Sequence, residues 1–128
     1  MKPLTLEWVA KAEGDFVTAT RELRSRKSPN YDGACFHAQQ CAEKYIKARL
    51  QEAAIAFPKA HDLVDLLALV APLEPALNPL QAALDSLTSD AVEIRYPGRS
   101  ATKADAKTAV ATAREVRRLI RTRFGLPI

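Results

Sequence analysis

The sequence predicts an all-α fold, an antiparallel up-down four-helix bundle with one additional short helix. Three observations lead there. Apolar residues recur at spacings of three and four through most of the chain. The apolar fraction is rich in Ala and Leu, with only four Gly, a balance that favours helices. No segment shows the alternating apolar pattern of a strand.

The first helix is expected from Thr5, as cap, to about Arg26. Trp8, Ala12, Phe16, Ala19 and Leu23 form its core-facing stripe. Asp15 lies beside that stripe, and a partly buried Asp needs a partner; the alternative is a solvated acid. Lys27-Ser28-Pro29-Asn30 turns the chain. So short a connection makes the next helix antiparallel to the first.

That next helix, Tyr31 to Leu50, is the central one. Asp32 is a suitable N-cap. Ala34, Cys35, Ala38, Cys41, Ala42, Tyr45, Ile46 and Ala48 share one broad side, wide enough for more than one neighbour. Gln39, Gln40, Glu43, Lys44, Lys47 and His37 take the rest. Residues before Pro58 resist helical geometry, so the helix frays there.

A short third helix opens near His61 or Asp62, with Leu63, Leu66, Leu67 and Val70 on one face. Pro72, Pro75 and Pro79 punctuate a loop. A fourth helix is expected with Asn78 as cap and Pro79 in its first turn. It runs through Leu80, Ala83, Leu84 and Leu87 to about Ile94, and Pro97-Gly98 stops it. Thr102-Lys103-Ala104-Asp105 has capping-box spacing at the start of the last helix. Ala106, Ala109, Ala113, Val116, Leu119, Ile120 and Phe124 face the core, and Gly125 ends it.

At 128 residues the chain is expected to be one domain, residues 1–128, large enough to bury roughly two-thirds of its unfolded surface. The net charge is +4, and much of the surplus Arg lies near the C-terminal end. Met1-Lys2-Pro3 leads into a mixed segment with Glu7, Lys11 and Glu13, without the apolar run of a signal peptide. No run approaches the ~18 apolar residues of a membrane span. The expected location is the cytoplasm, with no membrane association. Cys35 and Cys41 lie six residues apart, about 9 Å along one helix, beyond the roughly 7 Å between Cα atoms that a disulfide allows. They are expected to be buried free thiols.

Three groups of residues carry candidate chemistry. Arg95, Tyr96 and Arg99 combine forked donors suited to phosphate with a ring able to stack on a base, and Pro97-Gly98 would shape their loop. The alternative is an Arg that caps the fourth helix or bonds an acid such as Asp15. His37, Gln40, Lys44 and Lys47 fall within about 80° on one helical side and would line an anion or nucleotide groove with Arg95. They equally suit a solvated stripe or a dimer interface, with Glu43 paired to a Lys. Arg114, Arg117, Arg118 and Arg121 fall within about 100° of arc on the last helix, a stripe for a nucleic-acid backbone or simply for solubility. His37 and Cys41 lie one turn apart, but two ligands do not make a zinc site. No Gly-rich phosphate loop or Ser/His/Asp arrangement is present. No metal and no cofactor is implied.

Three pieces in order resemble the HEPN family of small helical proteins. CFHAQQCAEKYIKARL matches an aromatic-His-x-x-Gln-x-x-Glu-Lys-x-x-Lys pattern. PKAHDL resembles the His-Asp-Leu that opens the family's third helix. Arg95-Tyr96-Pro97 resembles its Arg-Tyr-Pro variant. Trp8, Ala12, Asp15 and Ala19 also fit. The resemblance implies a four-helix bundle that dimerises, association with RNA or nucleotide, and a toxin–antitoxin-type pairing with a minimal nucleotidyltransferase. Many members are metal-independent ribonucleases carrying Arg, four to six residues, then His. Here Ser100 to Ala106 contain no histidine, so that motif is missing. The reading is a nucleotide- or RNA-binding or regulatory homodimer. The alternatives are a divergent ribonuclease using Arg95 with His37 or His61, or a purely structural interaction module.

Overall fold

The computed structural model describes residues 1–128 and contains helices and no strands. The helices are α1 (Pro3–Arg24), α2 (Tyr31–Glu52), α3 (Leu63–Val70), α4 (Gln81–Glu93) and α5 (Lys103–Arg123). A 3-10 segment, Pro75–Leu80, leads into α4. No helix is long and apolar enough to cross a membrane.

The wide apolar arc of α2 decides the architecture, because it can be covered only by several neighbours. α2 packs against α1, α3, α4 and α5. Side-chain pairs set the directions. Thr5 meets Glu52 and Glu13 meets Tyr45, so α1 runs antiparallel to α2. Asp32 meets Ala101 and Tyr45 meets Arg121, so α5 runs parallel to α2. Tyr45, Ile46, Leu50, Leu66, Leu84, Val116 and Ile120 are among the fully buried side chains. Each large apolar one contributes about 1.5–3 kcal/mol by leaving water. All eight residues of the predicted arc are fully buried within one chain, so its width needs no second copy to explain it.

The other side of α2 departs from the helical pattern. Gln39, Glu43 and Lys47 are only 2%, 3% and 5% exposed. The segment after α2 covers them: Phe57 packs edge-on against Trp8, and both rings lie over the Lys47 ammonium.

Three expected caps also differ. α1 starts at Pro3, which suits a first helical position because its missing N–H would be unpaired anyway. Thr5 is therefore inside the helix, buried, and donates to Glu52 Oε1 at 2.9 Å. α1 also ends earlier, at Arg24. Asn30, not Asp32, caps α2 by accepting from Gly33 N at 2.8 Å. A Cβ on Gly33 would stand 2.7 Å from the Asn30 side chain, so this cap needs glycine there. Asp32 instead accepts from Ala101 N at 2.6 Å and ties the start of α2 to the approach of α5. Asn78 and Pro79 lie in the 3-10 segment, and α4 begins at Gln81 without a side-chain cap.

Elsewhere the expected signals operate. Asp62 accepts from Val64 N at 2.9 Å to cap α3. Thr102 and Asp105 form a reciprocal capping box on α5. Gly125 ends α5 with φ +69°, a left-handed conformation natural to glycine. Cys35 and Cys41 are free and buried. Burial pushes the Cys35 thiol up to about 11, with nearby Asp105 and Asp90 adding to it, and pushes Cys41 higher still. Thiolate is the reactive form. Iodoacetamide at pH 8 is therefore expected to leave both thiols of the native protein unmodified and to alkylate both in urea. Mass spectrometry distinguishes this from rapid native labelling, which would contradict the burial.

Candidate functional site

The loop after α4 is anchored by Ile94, which is buried at the helix end. Arg95 N and Tyr96 N continue the last turn, bonding Val92 O at 3.3 Å and Glu93 O at 3.2 Å. Gly98 at φ +101° lets the chain double back. Arg99 then pairs back with the last turn of α4, 3.2 Å from Asp90 and 2.9 Å from Glu93. Arg95 and Tyr96 remain exposed, Tyr96 at 66%. Arg95 has no acid partner, and its guanidinium carbon lies 5.1 Å from the centroid of the Phe36 ring. A cation over an aromatic face in this way is held electrostatically while its N–H donors stay available. Asn30, Asp32, Gly33, Phe36, Ile94 and Arg95 line a shallow depression here.

Phe36 also touches His37, their rings nearly perpendicular with centroids 5.3 Å apart. His37 Nδ1 is 2.8 Å from Asp15 Oδ1, and Lys44 Nζ is 2.6 Å from Asp15 Oδ2. Asp15 thus has the partners that its burial requires, and they are His37 and Lys44 rather than an arginine. In a neutral ring with Nδ1–H donating to the carboxylate, the lone pair is on Nε2, which makes no bond within the chain. The Phe36 ring thus lies against both the Arg95 guanidinium and the His37 imidazole.

Gln40 and Lys47 do not join them. Gln40 donates to Gln39 Oε1 at 2.7 Å. Gln39 donates to His61 O at 2.9 Å and to Glu43 Oε1 at 3.2 Å. Lys47 donates to Glu43 Oε2 at 3.1 Å, and His61 Nδ1 lies 3.0 Å from Glu43 Oε1. The single groove expected from His37, Gln40, Lys44 and Lys47 is thus split in two. His37 and Lys44 face α1, whereas Lys47 is internal, because a buried ammonium is tolerable only beside a carboxylate or a ring face. His61 belongs to the internal network.

The arginines of α5 are largely committed as well. Arg117 forms a two-pronged pair with Glu13, both bonds 2.8 Å. These bonds outweigh burial, and with Tyr45 donating too, they hold the Glu13 carboxyl below its usual range. Arg121 donates to Tyr45 Oη at 3.2 Å and Arg118 pairs with Glu115. Only Arg114 has no acid, its guanidinium carbon lying 5.7 Å from the Phe16 ring centroid. No group of three or more His, Cys, Asp or Glu side chains is arranged to hold a metal ion. Phe36 is the residue that sequence reasoning undervalued. The motif marked an aromatic there, but only the fold shows that it joins Arg95 to His37.

The family model for the HEPN domain matches residues 5–123. TT1696 from Thermus thermophilus has a similar solved structure, with a TM-score of 0.75 at 23% identity, covering 92% of this chain and 96% of that one. ST0689, an archaeal HEPN homologue, gives a TM-score of 0.69 at 25% identity, covering 96% of this chain and 98% of that one. No curated protein matches in sequence. The match runs through α1 to α5 without a break, and the chain belongs to the HEPN domain family.

Proposed function

We propose that this HEPN domain binds a phosphate-bearing ligand, RNA or a nucleotide, on the face formed by Arg95, Tyr96, Phe36 and His37. In this reading it is the binding or regulatory member of a toxin–antitoxin-type pair with a minimal nucleotidyltransferase, and it acts as a homodimer. One observation carries the binding: Arg95 is exposed, free of any acid and held over Phe36, beside an exposed Tyr96. Most arginines of the chain's last third are already paired. A guanidinium kept in position with its donors free is suited to phosphate. The homodimer and the nucleotidyltransferase are carried by the family alone.

Arg95→Ala is expected to weaken binding of a fluorescent RNA oligonucleotide or nucleotide by roughly 10–100-fold, the loss of one or two charge-assisted hydrogen bonds. An unchanged Kd would remove Arg95 from the site. Co-purification with the product of a neighbouring nucleotidyltransferase gene tests the pairing.

The Asp15–His37 pair favours a second reading, a divergent metal-independent ribonuclease. Arg95 would neutralise charge on the phosphate while His37 Nε2 accepts the proton of a ribose 2′-hydroxyl attacking phosphorus, and the departing 5′-oxygen takes a proton from water. RNA cleavage in EDTA that is lost in both His37→Ala and Arg95→Ala would support it. Intact RNA with the wild-type protein leaves the binding reading.

A further inference from the structure

A second basic surface lies between the C-terminal half of α1 and α5. Two depressions there share Arg24. One is lined by Arg24, Arg114, Arg117 and Arg118 around Phe16. The other is lined by Arg24, Arg26, Lys103 and Lys107 with Tyr31. No Asp or Glu lines either one, and the first is also lined by Ile128, whose main-chain oxygen lies 3.5 Å from Arg117 Nη1. Arg117 and Arg118 are paired with Glu13 and Glu115. Arg24, Arg26, Lys103, Lys107 and Arg114 are exposed and make no ion pair.

Helix electrostatics explain only part of this cluster. Arg24 sits at the C-terminal end of α1, where a cation is favoured. Lys103 is the first residue of α5, at the positive end of the dipole, where a cation is unfavourable. Its neighbours add repulsion. A group of uncompensated cations that costs the folded chain stability is expected to have an anionic partner.

The shape narrows that partner. Lys103 to Arg118 spans about 22 Å along α5, longer than one phosphate group and suited to a polymer of spaced negative charges. The guanidinium carbons of Arg114 and Arg117 lie 5.7 and 4.7 Å from the Phe16 ring centroid, so this ring offers no bare platform for a base. Contacts would go to phosphates, which carry no sequence information. We propose that the α1/α5 furrow is a track for the phosphodiester backbone of nucleic acid, bound without regard to base. Pro29 and Tyr31 line its end, while Asn30, Asp32 and Gly33 line the depression beside Arg95, so the α1–α2 turn joins the two surfaces. The track stands on its own charges and does not depend on the Arg95 reading.

The test is fluorescence anisotropy with a 20-nucleotide oligo-U RNA over a salt series. The proteins are wild type, an Arg24→Gln/Lys107→Gln/Arg114→Gln triple variant, and Arg95→Ala. The three glutamines replace exposed groups, and circular dichroism verifies folding. The triple variant is expected to lose at least about tenfold in affinity and about 2 in the slope of log K against log salt, at roughly 0.7 per phosphate contact. Oligo-C should bind the wild type within about threefold of oligo-U. Lys103→Gln should raise Tm. A triple variant that binds like wild type overturns the track, as does wild type that binds no nucleic acid or prefers polyglutamate. Loss only in Arg95→Ala overturns the track and leaves the loop; loss only in the triple variant does the reverse.

Discussion

Replacing Glu43 with Ala is expected to lower stability by about 3–5 kcal/mol and Tm by roughly 10–20 °C. Glu43 lies 3% exposed in the middle of α2 and is the common acceptor for Gln39, His61 and Lys47. His61 is largely exposed and can return to water. Lys47 cannot, being 5% exposed beneath Trp8 and Phe57. The cost is therefore an ammonium left in the interior with only ring faces opposite, rather than one lost bond. A Glu43→Leu/Lys47→Met double variant removes both charges and is expected to recover most of the loss, because apolar side chains of similar size often replace a buried pair without penalty. Urea unfolding of the three proteins measures this. A single-variant loss below about 1 kcal/mol would show that Lys47 reaches water.

Glu74→Gln is expected to cost about 2–3 kcal/mol at pH 7 and to flatten the acid side of the stability profile. Glu74 is buried before the 3-10 segment and ties three parts of the chain together. It accepts from Arg49 of α2 at 2.8 Å and from Arg123 of α5 at 2.6 and 3.1 Å. Burial pulls its carboxyl up, but the bonds from Arg123 and Arg49 outweigh it and leave the group below its ordinary 4.5. A group whose folded pKa is depressed contributes fully above its unfolded pKa and loses that contribution as pH falls through its folded pKa. Glu13, lowered chiefly by Arg117, acts with the same sign. Wild type should therefore lose stability below about pH 4.5, and Glu74→Gln should lose less over the same interval. Equal losses in the two proteins would contradict the assignment.

How far these features could be read from sequence depends on their range. The Thr102/Asp105 box, the Asp62 cap and the Gly125 stop involve residues a few positions apart, and local spacing suffices. The apolar stripes were likewise legible, because helical period alone sets which residues share a side. The burial of Lys47 is not legible locally, for the opposite reason. Helical period puts it on a polar side, but the path of the α2–α3 segment, with Phe57 and His61, determines whether that side meets water. Arg117 and Glu13 pair across 104 positions, and no local pattern signals it. The candidate site was half legible: the motif marked Arg95, Tyr96 and His37, while the role of Phe36 as the ring touching both Arg95 and His37 needed the fold. Asp32 could not be separated from Asn30 as the cap, since both are good acceptors; the fold assigns Asp32 to Ala101 N.

The central claim is that the face built on Phe36 is a ligand site, and nuclear magnetic resonance mapping tests it most directly. A short RNA or a nucleotide is titrated into isotope-labelled protein while backbone amides, the Arg95 Nε–H and the His37 ring are followed. The result expected is a set of shifts centred on residues 30–37 and 94–99, including His37 and Arg95 Nε–H, and absent in Arg95→Ala. Saturating ligand that leaves these signals unmoved would contradict the claim.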